Sequence, residues 1–194
     1  MPSRYSVRDP SLLDHLGDVP QIQIEIELWR VTREGRDPLQ SSSPKGRWDD
    51  GTFEVLYTAR EANGAMAEIY FHYSKGQPIF PTQMRFKLYR IRVRLGALID
   101  LSNSQLLGQL GVDLEKYGAL AFNRKNDEYR RSQSIGEAAH FLAADGIIVP
   151  NARWDCNNAI LFMSKIAPAD IAVVEDRGIV DFVAWSNENL QTRH

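Results

Sequence analysis

Three side chains able to do chemistry stand close together in SPKGRWDDGTFEVLYTAREANGAMAEIYFH, residues 43–72. Arg47 follows a glycine in a polar loop, Tyr57 closes an apolar run, and Glu68 sits among small apolar residues. A guanidinium fork binds oxyanions, and a carboxylate stabilises developing positive charge. Each also has an ordinary role. Around a helix Glu68 lies nearer Glu61, His72 and Lys75 than Met66, where a solvated glutamate would stand. An arginine in a loop is usually a surface group, and a strand tyrosine usually serves the core. Spacing alone does not separate the two readings.

Other chemistries are easier to set aside. His15, His72, His140 and His194 are scattered and Cys156 is the single cysteine, so no zinc-type spacing exists and no metal is expected. There is no G-x-S-x-G elbow, P-loop or G-x-G-x-x-G turn. Arg85, Lys87, Arg90, Arg92 and Arg94 line one segment, which would suit phosphates or an acidic partner. Without an aromatic ladder beside them they read better as a solvated sheet face guarding an edge. A net charge of −2 argues against a chain that coats nucleic acid. No run is apolar enough to span a membrane, the first residues lack a signal-peptide stretch, and one cysteine points to a reducing cytoplasm.

The elements that must position these residues follow from periodicity. Residues 1–20, broken by Pro10 and Pro20, read as an irregular arm ahead of a single domain over 21–194. QIQIEIELWRV alternates as a half-buried strand, then a long loop rich in Gly, Pro, Ser and Asp leads to the strand FEVLYTA. From Arg60 to Tyr73 the period becomes helical, with Ala62, Ala65, Met66, Ile69, Tyr70 and Tyr73 on one stripe. QMRFKLYRIRVRL is a strand whose apolar phase slips near Tyr89, which suggests a bulge. SNSQLLGQLGV predicts a short helix and RKNDEYRRSQ a solvated loop or helix end. Ser134 and Glu137 have capping-box spacing for a helix ended by Gly146. IIVP, NAILFMS, IAVVE and VDFVAW predict short strands. The order suits an α+β domain with a mixed, mostly antiparallel sheet and flanking helices.

Taken together, LWRV, GRWDDGTFEVLYTAREANGAMAEIYFH and ADGIIVPNARWDCNNAILF resemble the RES domain family, over residues 28 to about 165. These are toxins of bacterial toxin–antitoxin pairs whose antitoxins carry an Xre-type DNA-binding domain. The resemblance implies a fold like that of ADP-ribosyltransferase toxins and an enzyme that breaks the nicotinamide–ribose bond of NAD+ by hydrolysis or phosphorolysis. NAD+ would then be a substrate rather than a cofactor, with inorganic phosphate a possible co-substrate. The family's arginine, tyrosine and glutamate fall on Arg47, Tyr57 and Glu68, an asparagine on Asn158, and an arginine after the first strand on Arg30. Where the family usually reads VPSA this chain reads VPNA, so Asn151 stands in the serine's place.

On this resemblance Glu68 would bond the ribose hydroxyls and stabilise the oxocarbenium-like state. Arg47 or Arg30 would hold the diphosphate. Tyr57 would stack on nicotinamide or bond the ribose, and Asn151 and Asn158 would orient ribose or carboxamide. An Xre-type antitoxin is the implied partner, a homodimer is compatible with it, and direct nucleic-acid binding is not expected. Two further functions stay open at this stage. One is ADP-ribosyl transfer to a protein. The other is a non-catalytic nucleotide- or partner-binding module, which Asn151 in place of serine would suit.

Overall fold

The computed structural model of the chain describes residues 8–42, 44–74, 80–81, 83–118 and 125–190, with backbone only at 125–128. The alternating segment forms β1 (Gln21–Arg33), which pairs antiparallel with β3 (Phe86–Asp100) along its whole length. At Trp29 the opposite edge of β1 meets Ala59 of β2 (Val55–Ala59). β2 pairs antiparallel with β5 (Asn157–Phe162) and β5 with β4 (Gly146–Pro150). β4 returns to β3 through a parallel pairing over Leu98–Asp100. The five strands thus close into a ring, and β6 (Ile171–Ile179) pairs with the remaining edge of β3. The result is the expected α+β class with a mostly antiparallel sheet; the closure is what periodicity did not foretell.

Closure divides the core. Ile26, Leu28, Leu56, Ile91, Val93, Leu95, Leu98, Ile148 and Leu161 are buried in one cluster, with Leu28 facing Ile91 and Ile26 facing Val93 across the β1–β3 pair. The opposite face of β4 and β5, with Ile147, Val149, Ile160 and Phe162, is covered by α1 (Pro10–Gly17), α3 (Ser104–Gln109) and α4 (Lys125–Phe141). A third cluster places α2 (Ala62–Ser74) and α5 (Phe182–Leu190) over Val31, Phe86 and Leu88. Among the described residues no helix is long and apolar enough to cross a membrane.

Four local expectations need correction. The supposedly irregular arm contains α1, because Asp9 accepts from the N–H groups of Ser11 and Leu12 while Leu12 and Leu16, one turn apart, bury their side chains. VDFVAW is not a strand: Asp181 caps α5 through Val183 N and Ala184 N, and Phe182 and Trp185 are the buried helical pair. α4 begins well before Ser134, whose hydroxyl donates to the Arg130 carbonyl one turn back, so the apparent capping box lies inside the helix. Past the end of α4 the left-handed position is taken by Ala143 (φ 61°), while Gly146 opens β4. The bulge expected at Tyr89 belongs to the pairing with β6, whose register shifts between Lys87 and Tyr89 and again between Arg90 and Ile91. The β1–β3 register runs unbroken through Tyr89, which faces Arg30. The layers covering the strand also change there. Phe86 and Leu88 face α2 and α5, whereas Ile91, Val93 and Leu95 face the ring interior.

Leu16 is 1% exposed, so truncating it opens a cavity between α1 and the sheet. Leu16→Ala should destabilise the protein by about 3 kcal/mol in chemical denaturation. A loss below about 0.5 kcal/mol, the range of an ordinary surface change, would show that α1 is not part of the core.

Candidate functional site

A cleft of about 560 Å³ opens where β1 leaves the ring. Its walls are the C-terminal half of β1, the loop between β1 and β2, one face of α2, Tyr117 and Tyr129, and the turn after β4. That volume lies within the range of small-molecule sites.

The loop is fixed from within. Asp49 has no exposed surface, and its carboxylate accepts from Lys45 N (2.6 Å), Gly46 N (2.8 Å) and the Tyr57 hydroxyl (2.9 Å). The same hydroxyl accepts from Trp48 N at 2.8 Å. Gly46 is required here, since a Cβ would run into the Tyr57 hydroxyl and the Asp49 carboxylate. Outside contacts complete the lock. Gln133 of α4 donates to the Gly46 carbonyl, and Gly136 lets that helix press on the Trp48 carbonyl. Arg47 is thereby carried to the cleft wall, its guanidinium 4.5 Å from the Tyr117 ring centre and 4.8 Å from that of Tyr129. Tyr117 is itself anchored by its hydroxyl on the Pro150 carbonyl at 2.7 Å. Stacking between two aromatic rings orients the cation.

Across the cleft, Glu68 projects from α2, half-buried. Its Oε1 accepts from Asn158 Nδ2 at 3.3 Å, and Asn158 Oδ1 accepts from Asn151 Nδ2 at 2.8 Å. Asn151 is 8% exposed and fully engaged: Nδ2 also reaches the Gly64 carbonyl (3.3 Å), and Oδ1 accepts from Arg153 N (2.7 Å) and Trp154 N (3.0 Å). Gly64 makes room for it, because a Cβ there would meet Asn151 and Cys156. Two amides in series therefore fix which atom of Asn158 faces the carboxylate. Arg30 is 6% exposed and donates to the Gln40 carbonyl at 2.9 Å.

Of the residues singled out from sequence, Arg30, Arg47, Tyr57, Glu68 and Asn158 line this one cleft. Asn151 is not part of the cleft lining; it lies behind Asn158, to which its amide donates. The Tyr57 hydroxyl is committed to the loop, and burial followed by the Asp49 charge pushes its pKa well above 10.0. Sequence reasoning missed Asp49, Tyr117 and Tyr129. The Asp-Asp pair after Trp48 read as loop, and neither tyrosine falls in a periodic stretch. Burial and the nearby Glu61 push the Cys156 thiol up to about 11, away from the thiolate form that a nucleophile uses. Among the described residues no group of three or more His, Cys, Asp or Glu could hold a metal ion.

The basic segment of β3 is neutralised by its neighbours. Arg90 bridges Glu27 (2.7 Å) and Glu175 (2.8 Å), Arg92 reaches Glu27, Arg94 reaches Glu25, Lys87 reaches Asp176 and Arg85 reaches Glu34. β3 is not an edge strand either, since it lies between β1 and β6. These cations form a cross-strand charge ladder, not a phosphate-binding face.

Comparison with known proteins gives concordant matches. The profile of the RES domain family matches residues 27–183. Over 151 residues the chain is 25% identical to the NAD(+) phosphorylase MbcT of Mycobacterium bovis, covering 74% of this chain and 77% of that protein. The match to MbcT of Mycobacterium tuberculosis has the same identity and extent. Among solved structures, the crystal structure of the M. tuberculosis MbcT–MbcA toxin–antitoxin complex superposes with a TM-score of 0.75. It covers 92% of this chain and 97% of the matched chain at 20% identity, which establishes a shared fold.

The loop lock yields a stability prediction with a defined sign. Because the folded-state pKa of Tyr57 is raised, its neutral phenol contributes stability that is fully present below about pH 10 and lost as pH rises through the folded value. Tyr57→Phe should cost about 1–3 kcal/mol at neutral pH, by leaving Asp49 and Trp48 N without a partner. It should also flatten the alkaline limb of stability against pH. An unaltered alkaline limb in denaturation from pH 8 to 11 would remove Tyr57 as its source.

Proposed function

This chain belongs to the RES domain family, and from that premise we propose that it cleaves the nicotinamide–ribose bond of NAD+ as the toxin of a toxin–antitoxin pair. Inorganic phosphate is the proposed acceptor, by analogy with the NAD(+) phosphorylase it resembles, with water the slower alternative. The observation that carries the reading is the opposition, across one cleft, of an amide-held carboxylate and a ring-stacked arginine.

The chemistry follows from that arrangement. The C1′–N bond of the nicotinamide ribose breaks with its electron pair leaving on the ring nitrogen, so neutral nicotinamide departs without a proton. Positive charge develops on C1′ and the ring oxygen. Glu68, aimed by Asn158 and in turn by Asn151, bonds the ribose hydroxyls and stabilises that charge. A phosphate oxygen then forms the new C1′–O bond, giving ADP-ribose 1-phosphate; water in its place gives ADP-ribose and a released proton. Arg47, pre-oriented between Tyr117 and Tyr129, binds phosphoryl oxygens of the dinucleotide equally in ground and transition states. Asn151 in the serine's place supports turnover rather than opposing it, since its amide sets the donor that Glu68 accepts.

Depletion of NAD+ would arrest growth, so a partner must silence the cleft. An Xre-type antitoxin occluding it is the proposed complex, as MbcA is paired with MbcT. With cellular NAD+ as the proposed substrate, the cytoplasm is the proposed location.

Nicotinamide release from NAD+ by purified protein, with and without phosphate, tests the reading. Glu68→Gln should lower kcat by about 10²- to 10³-fold, and the product should be the 1-phosphate when phosphate is present. Well-folded wild-type protein that binds NAD+ and releases no nicotinamide would refute the proposal. Arg47→Ala should raise KM for NAD+ more than it lowers kcat. Asn151→Asp keeps the acceptor for Arg153 N and Trp154 N but replaces the donor to Asn158. That amide should then rotate and turn its oxygen toward Glu68, lowering kcat about tenfold or more with the fold retained. An Asn151→Asp enzyme of unchanged kcat would show that the two-amide series does not orient Glu68.

A further inference from the structure

We infer that Arg30, Thr32 and Arg36 form a seat for a phosphate-type oxyanion at the β1 end of the cleft. The row of side chains on β1 that faces the ring interior runs Ile26, Leu28, then Arg30 and Thr32. It becomes polar where the strand leaves the ring and enters the cleft wall. Thr32 is 5% exposed and its Oγ1 is buried with no hydrogen-bond partner. Arg30 Nη2 is held by the Gln40 carbonyl, yet Arg30 Nη1 is buried and unpartnered. Arg36 Nη2 is held at 2.6 Å by the Ser41 carbonyl, yet Arg36 Nε is buried and unpartnered.

Three donors without acceptors, two of them cationic, thus line the same cleft as Glu68 and Asn158. Buried donors of this kind are costly, and charged ones most of all. Both guanidiniums are tethered by carbonyls of one loop, so neither can swing away to water without breaking a bond. They also repel each other: burial and then the Arg36 charge pull Arg30 down to about 10, with Asp37 acting in the opposite sense on Arg30. A tetrahedral oxyanion would reverse each of these costs, its several oxygens accepting from two forks and a hydroxyl at once. The cations of β3 differ in that Lys87, Arg90, Arg92 and Arg94 all bridge carboxylates, although Arg90 Nε too is buried without a partner.

The seat itself stands on these atoms; the identity of its occupant rests on the NAD-cleaving reading. Two sources share the chemistry: inorganic phosphate, and a phosphoryl group of the dinucleotide. Calorimetric titration of full-length Glu68→Gln protein with inorganic phosphate and, separately, with ADP-ribose distinguishes them. Arg36→Gln and Thr32→Val in that background should weaken at least one ligand, by about tenfold for Arg36→Gln and by less for Thr32→Val. Weaker phosphate with unchanged ADP-ribose identifies inorganic phosphate as the occupant. Weaker ADP-ribose, with or without a change in phosphate, identifies the dinucleotide. Affinities for both ligands unchanged in both variants overturn the seat, and the isosteric Thr32→Val keeps that outcome accessible should Arg36→Gln fail to fold. Nicotinamide release by wild-type protein is scored independently. Release together with unchanged affinities overturns the seat alone, whereas affinities that fall without any release overturn the NAD-cleaving reading alone.

Discussion

A single carboxylate with no exposed surface, Asp49, organises the wall that carries Arg47. The connection from β1 to β2 is long for a compact domain, and its conformational entropy would leave an arginine near its middle without a fixed position. Asp49 gathers two backbone N–H groups and the Tyr57 hydroxyl, and the hydroxyl in turn takes Trp48 N. Each group that burial deprives of water is thereby paired within a few residues. The lock is anchored to the sheet through Tyr57, which lies on β2, and to α4 through Gln133 and Gly136. A tyrosine for which the family resemblance implied contact with substrate thus holds the loop that brings the arginine.

The opposite wall is built by a different device with the same effect. α2 follows β2 directly, so Glu68 is placed by the strand that also carries Tyr57. Its orientation comes from β5 and the turn before it, through Asn158 and Asn151. Ring closure is what makes this possible. β5 pairs with β2 on one edge and β4 on the other, so Asn158 lies opposite Ala59 and Val149 at the rim. Strands distant in sequence thereby deliver one residue each to a common cleft.

Much of this was legible and the remainder failed for physical reasons. The strands of the ring were legible because each packs one face or both against apolar neighbours, which leaves a plain period. α2 was legible as a helix, but the role of Glu68 was not, because that helix contacts the sheet, α5 and the cleft on different sides and presents no single polar face. The resemblance to RES sequences, not periodicity, brought Arg30, Arg47, Glu68 and Asn158 together. α1 and α5 were missed because short helices need only one buried pair, Leu12 with Leu16 and Phe182 with Trp185, and their Asp caps resemble loop residues. The phase slip at Tyr89 coincides both with register shifts against β6 and with a change of covering layer, two causes that a period alone cannot tell apart.

Charge distribution separates the working surface from the structural one. Judged by charge along the sequence, Arg85 and the four cations of β3 form the most basic segment of the chain, whereas Arg30 and Arg36 stand outside it. Structure inverts this ranking, because a cation is available to a ligand only to the extent that no resident carboxylate satisfies it. On β3 the acids arrive in register from β1 and β6, so Glu25, Glu27, Glu175 and Asp176 satisfy that ladder. Toward the C-terminal end of β1, where the strand leaves the ring, buried N–H groups of Arg30 and Arg36 remain without acceptors at the cleft. β1 divides its charges accordingly: Glu25 and Glu27 in its first half answer the β3 cations, while Arg30 in its last half is left to the cleft, where Glu68 also stands. A cleft that holds arginines and one carboxylate suits the dinucleotide proposed as its substrate, whose diphosphate is anionic and whose nicotinamide is cationic. It does so while the net charge of the chain stays at −2.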